Sequence, residues 1–139
     1  MYYAGCPTCK KKLIEENSVL KCLSCGNIIN DPYYYFTASF RVKDCTSDQF
    51  VDCFGSIAEG IIGVSCLEFR NAIVSNNVDY LKQICKNIEF KEYILKVKAN
   101  TQIYNNIENK KLSILSSELV EIKEEVNRMF KYLELAYGL

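Results

Sequence analysis

"CPTCKKKLIEENSVLKCLSC" runs from Cys6 to Cys25 and holds two Cys-x-x-Cys pairs with twelve residues between Cys9 and Cys22. A two-residue gap lets both sulfurs of one pair reach a single ion, and zinc takes four thiolates at tetrahedral corners. Pro7 bends the first pair, and Gly26 follows the second, where a positive φ is usually needed. The pattern reads as a zinc ribbon with Cys6, Cys9, Cys22 and Cys25 as ligands of one structural Zn2+. An iron–sulfur centre or two disulfides would use the same residues. Four protein ligands leave no open coordination position, so such a metal holds the chain and does no chemistry. Lys10, Lys11 and Lys12 lie between the pairs. They are either a solvated hairpin or a phosphate-contacting edge.

The chain has 139 residues, enough for one compact domain. There is no histidine, which removes histidine acid–base catalysis and every histidine-containing metal site. No apolar run reaches the ~18 residues of a membrane span, and the N-terminus lacks a signal-peptide layout. A reducing compartment is therefore expected, in which Cys45, Cys53, Cys66 and Cys85 are small buried hydrophobes. Net charge is zero but unevenly spread. Residues 1–43 carry +3, 44–89 carry −4, 90–112 carry +3 and 113–139 carry −2. The two basic blocks make a local positive face if they meet.

Outward from the ribbon, Tyr33 to Lys43 alternates. Tyr34, Phe36, Ala38, Phe40 and Val42 form one face, and the other ends in Arg41 and Lys43. Period two over eleven residues predicts a long strand with one buried face. "QFVDCF" (49–54) predicts the next strand. Asp52 must face water, so Phe50 and Phe54 share its face while Val51 and Cys53 point inward. Two aromatics on a wet face are either covered by another element or form a stacking platform for bases.

Residues 55–73 and 76–88 show helical spacing and predict two short helices at one end of a sheet. "YILKVKANTQIY" (93–104) alternates again, with Tyr93, Leu95, Val97, Ala99 and Ile103 as the buried set. Lys96, Lys98, Asn100, Gln102 and Tyr104 form the polar set. "NNIENKK" (105–111) reads as a turn, and "LSILS" as a strand with Leu112 and Ile114 inward. The last stretch (121–139) changes to helical period, with Val126, Met129, Phe130, Leu133, Ala136 and Tyr137 on one stripe. That stripe packs either on its own barrel or in a bundle with partner chains.

Short strands, an intervening helical segment and basic residues on alternate positions suggest an oligonucleotide-binding (OB) barrel, mainly β with helices. The expected organisation is one domain: ribbon insert 4–31, barrel 33–119 and assembly helix 121–139. The candidate strand contacts are Phe50, Phe54, Arg41, Lys43, Lys96, Lys98 and Tyr104.

The chain resembles the C-terminal DNA-binding domain family of the large subunit of replication protein A. The carriers are "YYAGCPTC", "LKCLSCG", "YYYFTASFRVKD", "QFVDCFGSIAEGIIG", "FKEYILKVKANTQIYN" and the closing helix. The resemblance implies a ribbon inserted between the first two barrel strands and base contacts at Phe50 and Phe54. It implies single-stranded DNA as ligand, and the middle and small subunits of replication protein A as partners of the Val126–Tyr137 stripe. It also implies a nuclear, non-enzymatic role without membrane or small-molecule substrate. Lys96, Lys98 and Tyr104 rest on face and charge instead. Because "MYYAG" opens the chain, the first barrel strand is expected to be missing. Two rival expectations are a telomere- or telomerase-associated paralogue of the same fold and a trimerisation scaffold with little DNA contact.

Overall fold

The computed structural model describes residues 1–104 and 107–138, apart from the side chains of Gln102, Tyr104 and Ile107. Eight strands and four helices follow in order: β1 Tyr2–Gly5, β2 Ile14–Glu16, β3 Val19–Lys21, β4 Ile28–Ile29, β5 Tyr33–Lys43, β6 Asp48–Phe54, α1 Gly55–Ile62, α2 Cys66–Val74, α3 Val78–Ile88, β7 Tyr93–Tyr104, β8 Ile107–Leu119 and α4 Ile122–Tyr137. No helix among the described residues is long and apolar enough to cross a membrane.

Five strands make one curved sheet in the order β1-β5-β6-β8-β7, and β2-β3-β4 make a separate small sheet. Neighbours in the large sheet are antiparallel except β6 and β8, which run parallel. A five-stranded, partly open sheet with a helical crossover and one parallel pair is the plan of the expected barrel. The small sheet interrupts it between β1 and β5. A first strand is therefore present, contrary to expectation. Tyr2 to Gly5 pair with Phe36 to Tyr33, so four residues suffice to occupy the edge of β5.

The alternation of β5 and β6 has a packing cause. Phe36, Val51 and Cys53 are buried with Ala58, Ile61 and Ile62 of α1, Cys66, Ile84 and Ile114. Phe36 meets Phe69 edge-on, with centroids 5.3 Å apart. Burying each such side chain contributes ~1.5–3 kcal/mol. Three helices replace the two predicted. Gly63 ends α1 at φ 83°, donating its N–H to the Glu59 carbonyl. Ser65 then caps α2 by accepting the Glu68 N–H, as a Ser-x-x-Glu start favours. Of α2, Cys66 and Ala72 are buried, while Ile73 is exposed.

The β7–β8 hairpin departs most from the reading. β8 begins at Ile107, so 107–111 are strand and not turn; Asn105 and Asn106 lie outside the described residues. Tyr93 and Leu95 pack on the core, but Val97, Ala99 and Ile103 are exposed. The register shifts between Lys96 and Val97, and beyond it the hairpin leaves the core as an arm. A shift of this kind bends and twists a strand. Among the described residues, its apolar side chains Val97, Ala99 and Ile103 therefore stay exposed.

Candidate metal centre and nucleic-acid interface

The two cysteine pairs fold into matching turns. Lys10 N–H donates to the Cys6 carbonyl at 2.9 Å, and Gly26 N–H to the Cys22 carbonyl at 2.8 Å. The residue after each pair takes a left-handed conformation, φ 61° at Lys10 and 72° at Gly26. This places all four sulfurs within 4.8 Å of one another, with Cys9 and Cys22 Sγ at 3.4 Å. A tetrahedron with ~2.3 Å metal–sulfur bonds needs sulfurs ~3.8 Å apart, so the donor set fits a four-coordinate ion. The 3.4 Å separation is also far beyond the ~2.05 Å of a disulfide.

The site is tuned for thiolates. The Cys9 backbone N–H, aided by that of Thr8, holds the Cys6 thiol down at about 6 against the effect of burial. The Cys25 N–H lowers Cys22 in the same way. Cys25 is pushed up to about 12, first by its contact with Cys9 and then by burial. Each sulfur's charge disfavours ionisation of its neighbours, so four thiolates in this space need a cation between them. Around the sulfurs, Leu13 joins Cys6 and Cys22 in a buried cluster, with the half-buried Ala4, Leu20 and Ile29 packed against it. So small an apolar cluster gives the ribbon little core of its own.

The other cysteines divide. Cys53 and Cys66 are buried, and burial raises both thiols, Cys66 to about 11. Cys45 and Cys85 are exposed, contrary to expectation: Cys45 lies in the β5–β6 turn, and Cys85 on the outer side of α3.

The outer face of the sheet gathers most of the candidate strand contacts. Phe50 is 65% exposed and Phe54 48%, while Val51 between them is buried. No element among the described residues covers either ring. In register, Arg41 lies opposite Phe50, Ser39 opposite Asp52 and Lys43 opposite Asp48. Asp52 faces Ser113 on β8, and Ser113 faces Lys98 on β7. One row thus runs Ser39, Asp52, Ser113, Lys98, with ~4.8 Å between strands. Lys98 therefore stands about 10 Å from the Asp52 column, and Lys96 lies next along β7 beside the register shift. Arg41 is partly committed, since its Nε donates to the Asp48 carboxylate. Tyr104 ends β7, but its side chain lies outside the described residues.

The sequence reading missed Lys111, which lies opposite Asn100 and shares the outer face with Ser113 and Lys98. The sequence pattern puts it in a turn, and only the observed register puts it on this face. The β5–β6 turn is held by Asp44, whose Oδ1 accepts from the Thr46 hydroxyl and the N–H groups of Thr46 and Ser47. Those bonds, the hydroxyl's foremost, lower its carboxyl to about 2. The stripe of α4 is exposed: Val126, Met129, Phe130, Leu133, Ala136 and Tyr137 all face solvent or are only partly covered. No residue of α4 is buried. Among the described residues none buries the stripe, so it does not pack on its own barrel here.

Comparison with known proteins gives a consistent picture. The family model "Replication factor-A C terminal domain" matches residues 1–129. The 70 kDa DNA-binding subunit of replication protein A from Drosophila melanogaster is 25% identical over 99% of this chain and 23% of its own length. The corresponding subunit from Tetrahymena thermophila is 30% identical over 67% of this chain and 14% of its own length. This chain thus spans about a quarter of the relatives' length or less. A replication protein A heterotrimer bound to single-stranded DNA superposes with a TM-score of 0.84 at 18% identity, covering 95% of this chain and 31% of that one. A yeast replication protein A bound to single-stranded DNA gives 0.79 at 19%, covering 97% and 77%. These superpositions confirm the barrel with its inserted ribbon and closing helix. With the family model matched along nearly the whole chain, this protein belongs to the replication factor-A C-terminal domain family.

Proposed function

We propose that the chain binds single-stranded DNA on the outer face of β5 and β6 and assembles with other replication protein A subunits through α4. The observation that carries this is the pair of uncovered rings, Phe50 and Phe54, flanked by Arg41 and Lys43 on one side and by Lys96, Lys98 and Lys111 on the other. Bases stack on the rings at ~1–3 kcal/mol each, and the cations take the phosphates. This is the barrel face that usually receives oligonucleotides, between the first inter-strand connection and the β7–β8 arm. No catalytic role is proposed; the chain acts by binding, in the nucleus, as part of a replication factor.

Zinc is the ion we assign to Cys6, Cys9, Cys22 and Cys25. When bound it supplies a structural cross-link and no reaction. The Cys9, Thr8, Cys25 and Ser24 N–H groups orient the sulfurs by donating to them. The domain divides into ribbon 4–31, barrel 33–119 and assembly helix 121–139. Val126, Met129, Phe130, Leu133, Ala136 and Tyr137 form the assembly stripe, which meets helices of the middle and small subunits.

The test is an anisotropy titration with labelled single strands at two salt concentrations, with and without the partner subunits, on the full chain and on one lacking 122–139. Binding that weakens with salt is expected from counterion release. Truncation should abolish assembly and spare the metal. Salt-independent binding, or assembly without 122–139, would contradict the reading.

A further inference from the structure

We propose that a cleft between the edge of the ribbon, the start of β5 and the N-terminal ends of α1 and α2 is a second base-stacking site, which receives a nucleobase of the same single strand on Tyr33. This rests on the strand-binding reading above and extends it past Phe54.

The cleft has a volume of about 790 Å³, and Tyr3, Lys10, Asp31, Tyr33, Tyr35 and Phe54 are among its walls. That lies in the range of ~300–1,000 Å³ typical of small-ligand sites and has room for a base. Phe54 is shared, so the cleft continues the stacking face without a gap.

The tyrosines there are not core residues. Tyr2 and Tyr34 pack against the core from the inner face, but Tyr3, Tyr33 and Tyr35 belong to neither buried cluster. Tyr3 and Tyr35 are cross-strand partners, with centroids 5.7 Å apart and planes 34° apart. Tyr33 and Tyr35 follow at 6.5 Å and 31°. The three rings form a tilted series. Its inner member is fixed: Tyr35 lies so close over Gly5 that an added Cβ would overlap its ring. Its outer member is open, since Tyr33 is 62% exposed. Tyr3 donates its hydroxyl proton to the Lys10 carbonyl at 3.2 Å, which ties the series to the first cysteine turn.

Charge selects the part of the nucleotide that enters. Lys10 stands at one wall for a phosphate, while Asp31 and Glu59 line others and repel phosphate. Glu59 is already accepting from the Cys66 N–H. The cleft therefore suits a base, with its backbone held on the Lys10 side.

The experiment uses the full chain and oligothymidylates from about 6 to about 16 nucleotides, spanning the site sizes of single barrels. Wild-type affinity should rise once a strand is long enough to pass Phe54 into the cleft. Tyr33→Ala should remove that rise, about 5- to 150-fold, and leave short strands unaffected; Tyr33→Phe should keep it. Phe50→Ala should weaken every length. If Tyr33→Ala binds long strands like wild type while Phe50→Ala is weak, the cleft proposal is overturned and the strand-binding reading stands. If neither variant changes binding, both fall. Photo-crosslinking of 5-iodouracil-substituted strands to wild type covers a variant that does not fold. Adducts at Tyr33 support the site, and adducts confined to β6 overturn it.

Discussion

Asp52 faces Ser113 across the parallel pairing of β6 and β8, and its own strand carries Phe50 and Phe54 on the same outer face. A carboxylate thus lies between the two rings proposed to stack bases, where it repels the phosphates that follow. Removing the charge without changing the shape should tighten binding. Asp52→Asn is expected to raise affinity about two- to fivefold at low salt, with the gain shrinking as salt screens it. Titrations at two ionic strengths check this; equal or weaker binding by the variant would count against a strand on this face.

Loss of one sulfur should empty the metal centre. Cys9 Sγ stands 3.4 Å from Cys22 Sγ at the heart of the cluster. Cys9→Ser should lower metal content measured by native mass spectrometry and unfold the ribbon, as should a chelator, since metal binding and folding are coupled in such sites. Cys45→Ser, in an exposed turn, should leave both unchanged. Full metal occupancy in Cys9→Ser would remove Cys9 from the ligand set.

The two cysteine turns differ in the residue that takes the left-handed conformation, Lys10 in one and Gly26 in the other. Gly26 sits at φ 72° with open space where a Cβ would be, so Gly26→Ala costs only backbone strain, about 1 kcal/mol. Lys10 already bears that strain at φ 61°. Lys10→Gly should leave metal retention at least as high as wild type, and Gly26→Ala should lower it. Competition with a chelator ranks the three proteins.

Asp44 makes the β5–β6 turn sensitive to acid. Its carboxyl titrates at about 2 in the folded chain against 3.8 when unperturbed, so the folded state favours the anion. The stabilisation is present above about pH 4 and is lost as pH falls toward 2. Asp44→Ala should therefore lower stability at neutral pH and flatten its pH dependence in that window. Urea denaturation at a series of pH values would show it, and an unchanged pH profile would refute it.

Much of this arrangement was legible beforehand for local reasons. Cysteine spacing is imposed by one ion, so it survives in the sequence. In β5 and β6 one face is buried along the strand, so Val51 and Cys53 read as inward and Phe50 and Phe54 as outward. The hairpin arm was misread because Val97 and Ile103 alternate like core residues yet are exposed. Alternation records which face is apolar, not whether anything covers it. The register shift after Lys96 and the place of Lys111 depend on pairing with β8, a non-local choice. β1 was overlooked because four residues carry too little pattern to announce a strand whose partner lies some thirty residues on.

The most direct test of the central claim is strand affinity in a variant with both rings removed. Phe50→Ala combined with Phe54→Ala leaves the inward Val51 and Cys53 untouched and so should fold and keep its metal. With ~1–3 kcal/mol per stacked base, affinity for a labelled single strand should fall by at least about tenfold. Undiminished affinity in a folded, metal-bearing double variant would contradict the account and place the strand elsewhere on the molecule.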